Sequence, residues 1–459
     1  MFYDRHIRMM MPMLMLYVTW MVPACQAVAK DAQHPNVLFI AVDDLKPMLG
    51  CYGNDQIKSP NIDELAARGT MFTNAHCQQA VCGPSRASLL TGLRPDTTKV
   101  WDLKTLIRKN LPDVVTLPQY FKQNGYESIG IGKIFDPRSV DGRRKMDEVS
   151  WSKPYLHAEY AADATFGYLN PDWVKHIKQK QAEVRAKGHK GYDKILKLIG
   201  KKPTDMADVP DEAYQDGAMA LMAVDQIKQL SKQDKPFFLA VGFKKPHLPF
   251  NAPKKYWDLY DRDSLDLAEF QQMPDGAPGY AFQDSWELRS YMVPKKGRLP
   301  DDQQRELIHG YYACVSYIDA QVGKLIDALQ EAGVADNTVI VLWGDHGWHL
   351  GDHGMWCKHT NYEQATRAPL IFYSPRIGKA GNQTKSIVEF VDIYPTLCEL
   401  AGLPVPKGLQ GVSLTPVMED ANVAVKPVAV SQYPRKYEHG YVMGYTLRDR
   451  RYRYIEWRD

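Results

Sequence analysis

The sequence predicts an α/β protein: a large, mainly parallel β-sheet sandwiched by helices, with a small antiparallel subdomain at its C-terminal end. Three observations predict it. Short apolar runs recur without polar alternation, as strands covered on both faces require. Helical stretches separate them, which is the order that builds a parallel sheet. Polar or glycine-containing breaks close them. The length of 459 residues, with 44% hydrophobic and 24% charged residues, suits one large sheet domain plus a small one and excludes a mainly disordered chain.

The expected strands in chain order are Asn36–Val42, 127–131, 236–242, 338–343 and 369–373, all rich in β-branched or aromatic residues. Asn61 is placed to cap a helix that carries Ile62, Leu65 and Ala66 on one face and closes at Gly69. A long helix over 301–332 has Leu307, Tyr311, Cys314, Tyr317 and Ile318 at three- and four-residue spacing. The proline-rich stretch 403–427 reads as a linker, and 428–431 with 441–457 as the antiparallel subdomain. Between 171 and 202, ten basic residues face three acidic ones. Such a run is either a solvated helix face or a landing surface for an anionic polymer.

Composition narrows the partners. Lys+Arg 57 against Asp+Glu 54 leaves a formal charge of +3, without the basic excess of nucleic-acid binders. Arg5 and Arg8 precede an acid-free apolar stretch, 9–24, and then Ala27-Val28-Ala29. This is the layout of an export signal, so 1–29 is expected to be a removable leader, with no stable membrane span elsewhere. Of seven cysteines, Cys25 would leave with the leader. The other six lack CxxC spacing, so neither a disulfide scaffold nor a zinc site is indicated.

Chemistry gathers at the strand ends. Asp43-Asp44 follows the first strand, Gly132-Lys133 the second, Lys244-Lys245-Pro246-His247 the third and Gly344-Asp345-His346-Gly347 the fourth. In a parallel sheet these all lie at the carboxyl edge, where α/β proteins place ligands. Asp43, Asp44 and Asp345 would converge there without an obvious basic residue of equal weight to neutralise them. Carboxylates so placed repel unless a cation sits between them, and hard oxygen ligands favour Ca2+ or Mg2+. His346 could add a nitrogen. The competing reading is helix capping by these aspartates.

The most specific string is Cys82-Gly83-Pro84-Ser85-Arg86-Ala87-Ser88-Leu89-Leu90-Thr91-Gly92. It resembles the formylglycine signature of the type I sulfatases, members of the alkaline phosphatase superfamily, in which the Cys is oxidised to an aldehyde. The resemblance runs from about Asn36 to the C-terminus and is nearest to the iduronate-2-sulfatase group. Supporting strings are Phe237 to His247, Gly344 to Trp348, Leu350 to Gly354 and Ser431 to Arg435. It implies an alkaline phosphatase-like fold, with a catalytic domain over 30–418 and a subdomain over 419–459 whose completeness is left open. It also implies one Ca2+ held by Asp43, Asp44, Asp345, His346 and the formylglycine from Cys82, with Arg86, Lys133, His247 and Lys358 around the sulfate. A formylglycine-generating enzyme and a sulfated carbohydrate are the implied partners. The family usually has a His two or three residues after the lysine; Asp136 stands there instead and is expected to act as the base, the alternative being that the loop pairs differently and a water does so. The activities implied are sulfate-ester hydrolysis, expected at the 2-O-sulfate of a uronic acid or related sugar; phosphate or phosphonate hydrolysis by the same machinery; or inactive binding of sulfated glycans. His349, His353, Cys357, Asn54, His76 and Gln78 are weaker candidates, as packing or pocket residues.

Overall fold

A computed structural model describes residues 34–158, 165–438 and 440–459. The expected leader, 1–29, lies outside the described residues. Among the described residues there are twelve strands: β1 (Asn36–Val42), β2 (Thr70–His76), β3 (Glu127–Gly132), β4 (Thr204–Ala207), β5 (Phe237–Phe243), β6 (Phe250–Pro253), β7 (Thr338–Gly344), β8 (Leu370–Tyr373), β9 (Asn382–Glu389), β10 (Ala429–Tyr437), β11 (Gly440–Arg448) and β12 (Arg453–Arg458). Seven of them form the main sheet in the order β3-β5-β1-β7-β8-β2-β9. The pairs β3–β5, β5–β1, β1–β7 and β2–β9 are parallel, while β8 runs antiparallel to both β7 and β2. The sheet is therefore mixed, with a parallel half built from the four strands whose ends carry the candidate residues.

Continuous hydrophobicity has the expected cause: both faces are covered. Leu38, Ile40 and Val42 of β1 join a core with the helices Pro60–Arg68, Gln215–Leu230 and Asp301–Glu331. Val37, Phe39 and Ala41, on the opposite face, join a second core with the helices Cys82–Thr91, Leu117–Gln123 and Ile393–Leu400. The small sheet, β10-β11-β12, is antiparallel throughout. It is tied to the body where Ser431 Oγ donates to the Cys77 carbonyl (2.6 Å) and Val430 N to Glu389 Oε1 (2.9 Å).

Two local expectations are corrected, and the basic segment takes the form of solvated helix faces. Ser59, not Asn61, precedes the helix Pro60–Arg68; Asn61 lies inside it, its amide donating to Asp319 Oδ2 at 2.7 Å. Proline at the first helical position sets the start there, because its missing N–H costs nothing. The stretch 403–427 is not a free linker: Leu414, Val417 and Met418 are buried in the second core around a short helix, Thr415–Glu419. The basic segment folds into two helices, Pro171–Ala186 and Tyr192–Ile199. Trp173, Val174, Ile177, Ile195 and Ile199 pack together, and most of the lysines point outward.

Candidate active site

The four parallel strands end side by side, with Val42 opposite both Phe243 and Gly344, and Gly132 opposite Gly242. Glycines make the β3–β5 end possible. Gly132 has φ +79°, and a Cβ there would lie 2.3 Å from the Gly242 carbonyl oxygen; a Cβ on Gly242 would lie 2.2 Å from that of Lys133. That closeness lets Lys133 N donate to Gly242 O at 2.8 Å and aims the lysine inward. Asp44 holds φ +61°, an αL conformation that Asp tolerates, and turns the chain sharply after Asp43.

Cys82 is the first residue of its helix, buried at the centre of this edge. Its Sγ lies 3.3 Å from Asp43 Oδ1 and 3.4 Å from His346 Nε2. Burial, and then the Asp43 carboxylate, push the thiol well above its ordinary value, so an unmodified Cys82 is a neutral thiol and a poor nucleophile. Arg86, one turn along and fully buried, donates from Nε to Asp345 Oδ2 (2.9 Å) and from Nη2 to Asp43 Oδ1 (3.3 Å). Nη1 reaches the carbonyls of Lys133 and Ile134. Lys133 Nζ binds Asp43 Oδ2 at 2.5 Å, and Lys358 Nζ binds both oxygens of Asp44 at 3.0 Å. The acids therefore do not converge unneutralised, as the sequence had suggested: each of the three meets a lysine or arginine. Spacing along the chain could not reveal this, because the cations arrive from other elements.

The charge balance is uneven across the cluster. Burial raises the Asp43 carboxyl, but Lys133, His247 and Arg86 outweigh it and hold it well below the usual range. At Asp44 burial wins over Lys358 and His247, and the carboxyl is pushed up. Asp43, Asp44, Cys82 and His346 each offer a donor atom within 4.8 Å of the others, and Asp345 Oδ1 lies 3.5 Å from His346 Nε2. His346 Nδ1 lies 3.1 Å from the Gly347 carbonyl, a contact that orients the ring with Nε2 toward the cluster. Three carboxylates and one imidazole fit a divalent cation that prefers oxygen; the soft thiol is the one poor ligand of the set.

One residue of the site carried no sequence signal. Glu287, on the short helix Trp286–Arg289, places Oε1 3.0 Å from His247 Nε2 and Oε2 2.9 Å from Lys358 Nζ. His247 Nδ1 lies 2.7 Å from the Leu248 carbonyl, so both ring nitrogens face acceptors only. That arrangement holds the ring as an imidazolium. Burial alone would lower its pKa, yet Asp44 and Glu287 raise it. Asp136 is buried but chelated by Arg138, Oδ1 to Nε at 2.9 Å and Oδ2 to Nη2 at 2.7 Å. Burial raises its carboxyl, and Arg138 and Lys133 bring it below the ordinary value, which weakens it as a base. The weaker candidates bond elsewhere: His349 Nε2 to Thr360 Oγ1, Asn54 Oδ1 to the Gln56 and Ile57 amides, and Gln78 Nε2 to Glu389. His353 stacks on Tyr362, while His76 and Cys357 are simply buried. The six described cysteines are all free.

The sequence model for sulfatases matches residues 35–403. The chain belongs to the sulfatase family. It is therefore a hydrolase of sulfate esters, and the residues around Cys82 occupy the carboxyl edge of a sulfatase sheet. A second model, described as the C-terminal part of N-sulphoglucosamine sulphohydrolase, matches residues 351–459. This sulfatase is 36% identical to the iduronate 2-sulfatase of Mus musculus, over 92% of this chain and 84% of that protein. It is 35% identical to a sulfatase of Formosa agariphila, over 94% of this chain and 80% of that one. Its fold is similar to that of the phosphonate monoester hydrolase of Silicibacter pomeroyi, with TM-score 0.70, 22% identity and coverage of 92% and 87%. Among the described residues, no helix of this sulfatase is long and apolar enough to cross a membrane.

Proposed function

We propose that this sulfatase removes 2-O-sulfate from a uronic acid or related sugar of a sulfated polysaccharide or oligosaccharide. In this reading residue 82 acts as formylglycine beside one calcium ion, after export and maturation by a formylglycine-generating enzyme. The observation that carries the reading is the position of Cys82, within 3.4 Å of both an aspartate oxygen and an imidazole nitrogen, inside a shell of four cationic side chains. The 36% identity with a protein named iduronate 2-sulfatase supports the choice of sugar.

Asp43, Asp44, Asp345, His346 and residue 82 would hold the ion, whose charge would lower the pKa of a hydroxyl on residue 82. The hydrated aldehyde carries two hydroxyls, one to attack sulfur and one whose deprotonation expels sulfate and restores the carbonyl. Neither Ser nor Cys has that second group. Lys133, Lys358 and Arg86 supply fixed positive charge where negative charge builds on the sulfuryl oxygens. His247, kept charged between Glu287 and the Leu248 carbonyl, donates a proton to the departing sugar oxygen.

Peptide mass at residue 82 and sulfate release across a panel of defined sulfated oligosaccharides test the reading. An intact thiol in active material, or undiminished turnover after exhaustive chelation, would overturn it. The likeness to a phosphonate monoester hydrolase motivates a second reading, since phosphorus and sulfur esters are both tetrahedral anions. Faster turnover of aryl phosphate than of aryl sulfate would favour it. Retention of an unoxidised Cys82 in a protein that still binds glycans would instead mark an inactive relative.

A further inference from the structure

Beside the cluster lies a cavity of about 890 Å3 that Asp43, Lys133 and His247 share with residues unrelated to the chemistry at sulfur. Among the described residues six lysine or arginine side chains line it, against two aspartates, and no Phe, Tyr or Trp does. A sugar subsite for a neutral ring normally offers an aromatic face; this one offers charge. Part of that charge is already committed. Lys133 is bound to Asp43, Arg138 to Asp136, and Lys245 Nζ to the carbonyls of His247 and Pro249.

Arg143 and Arg144 are different. Both line the cavity, both are exposed, and among the described residues neither guanidinium has an ion pair or hydrogen bond. The other two basic residues of the same loop are paired, Arg138 with Asp136 and Lys145 with Glu148. The loop that carries them is fastened at its ends. Asp141 accepts the amides of Asp147 (2.6 Å) and Glu148 (3.1 Å), and Trp151 Nε1 donates to the Met146 carbonyl (2.7 Å). Arg108 binds Asp147 through both oxygens, at 2.5 and 2.8 Å. Gly142, at φ +91°, makes the turn that presents the pair. Two adjacent guanidiniums on a fixed loop, without a partner among the described residues, are suited to a planar or tetrahedral anion.

We propose that Arg143 and Arg144 form a second anion subsite, so that the preferred substrate carries, besides the ester sulfate that is cleaved, another acidic group on the same or the next sugar. A uronate carboxylate and a neighbouring sulfate share the chemistry this subsite reads. The proposal rests on the sugar-sulfate reading above and narrows it to polyanionic glycans. The basic helices over 171–202 play no part, since none of their residues lines this cavity.

The test compares the full-length protein with the Arg143→Gln/Arg144→Gln variant on two substrates. One is a 2-O-sulfated uronate disaccharide; the other is 4-nitrophenyl sulfate, which has no second anion. The ratio of their kcat/KM values is expected to fall roughly 10- to 100-fold in the variant, through KM of the disaccharide, as the loss of one or two charge-assisted contacts implies. An Arg450→Gln/Arg451→Gln variant removes equal charge from a separate surface lined by Ile387 and Lys426, and should keep the ratio. The carboxyl-reduced disaccharide, and one with an added sulfate, identify which anion is read. An unchanged ratio, or the same fall in both double variants, would overturn the subsite. Calorimetric titration of the disaccharide into both proteins, after removal of divalent ions, measures the same contacts without turnover. Equal affinity there overturns the subsite even if no sulfate is released, whereas failure of the wild type to cleave either substrate, with affinity still lost in the variant, counts against the catalytic reading alone.

Discussion

Arg86 is the side chain on which the acidic cluster most depends, and Arg86→Met isolates its charge. The guanidinium is fully buried, and it meets Asp345 at 2.9 Å, Asp43 at 3.3 Å and the Ile134 carbonyl at 3.1 Å. Without it two buried carboxylates lose a shared partner, a change that costs about 3–5 kcal/mol. A chain of this size unfolds with an entropy of roughly 0.9 kcal/mol per kelvin, so Tm should fall by about 3–6 °C in chelator. On the proposed reading a calcium ion would supply the missing charge. At a hundredfold excess over Kd an ion stabilises the wild type by about 2.7 kcal/mol, or about 3 °C. In the variant the same carboxylates are less neutralised, so the calcium-induced rise in Tm should be larger. Scanning calorimetry of both proteins, with chelator and with calcium, reads each quantity. A variant that melts within 1 °C of wild type in chelator, or equal calcium shifts in the two proteins, would refute the account of the cluster.

Other outcomes follow from the same geometry. His247→Ala should lower kcat on a sugar sulfate by about 100-fold or more, but far less on 4-nitrophenyl sulfate, whose leaving group needs no proton; equal losses would remove His247 as the acid. Glu287→Gln leaves Lys358 bound to Asp44 but deprives His247 of the nearer of its two carboxylates. It should reproduce the His247 pattern at about a tenth of its size, as a steady-state comparison of the same two substrates would show. Asp136→Asn should let the sulfated form of residue 82 accumulate, visible by intact-protein mass spectrometry; unchanged turnover would assign that step to water. Asp211 concerns stability alone. Burial raises its carboxyl, but Lys255, Lys324 and Gln321 bring it down to about 2. A folded pKa below the unfolded one gives stability that is present above about pH 4 and lost as pH falls toward 2. Wild type should therefore exceed Asp211→Asn by about 2 kcal/mol at pH 6 and match it near pH 2 in urea titrations.

The sequence alone determined the strands that matter most. β1, β3, β5 and β7 are apolar throughout because both faces are buried, and that pattern survives any tertiary detail. Their polar endings, and the string from Cys82 to Gly92, were local enough to read as a site. β2 and β9 went unread because Thr70–His76 and Asn382–Glu389 mix polar and apolar residues, as strands toward one edge of a sheet do. Only the tertiary structure decided which cation meets which acid. Arg86, Lys133 and Lys358 come from a helix, a strand end and a loop, and Coulomb energy depends on distances in space, which spacing along the chain does not encode. Glu287 shows the limit most plainly. It sits on a short helix with no motif, and it enters the site because that helix packs over His247 and Lys358, whose shared positive charge a carboxylate can neutralise.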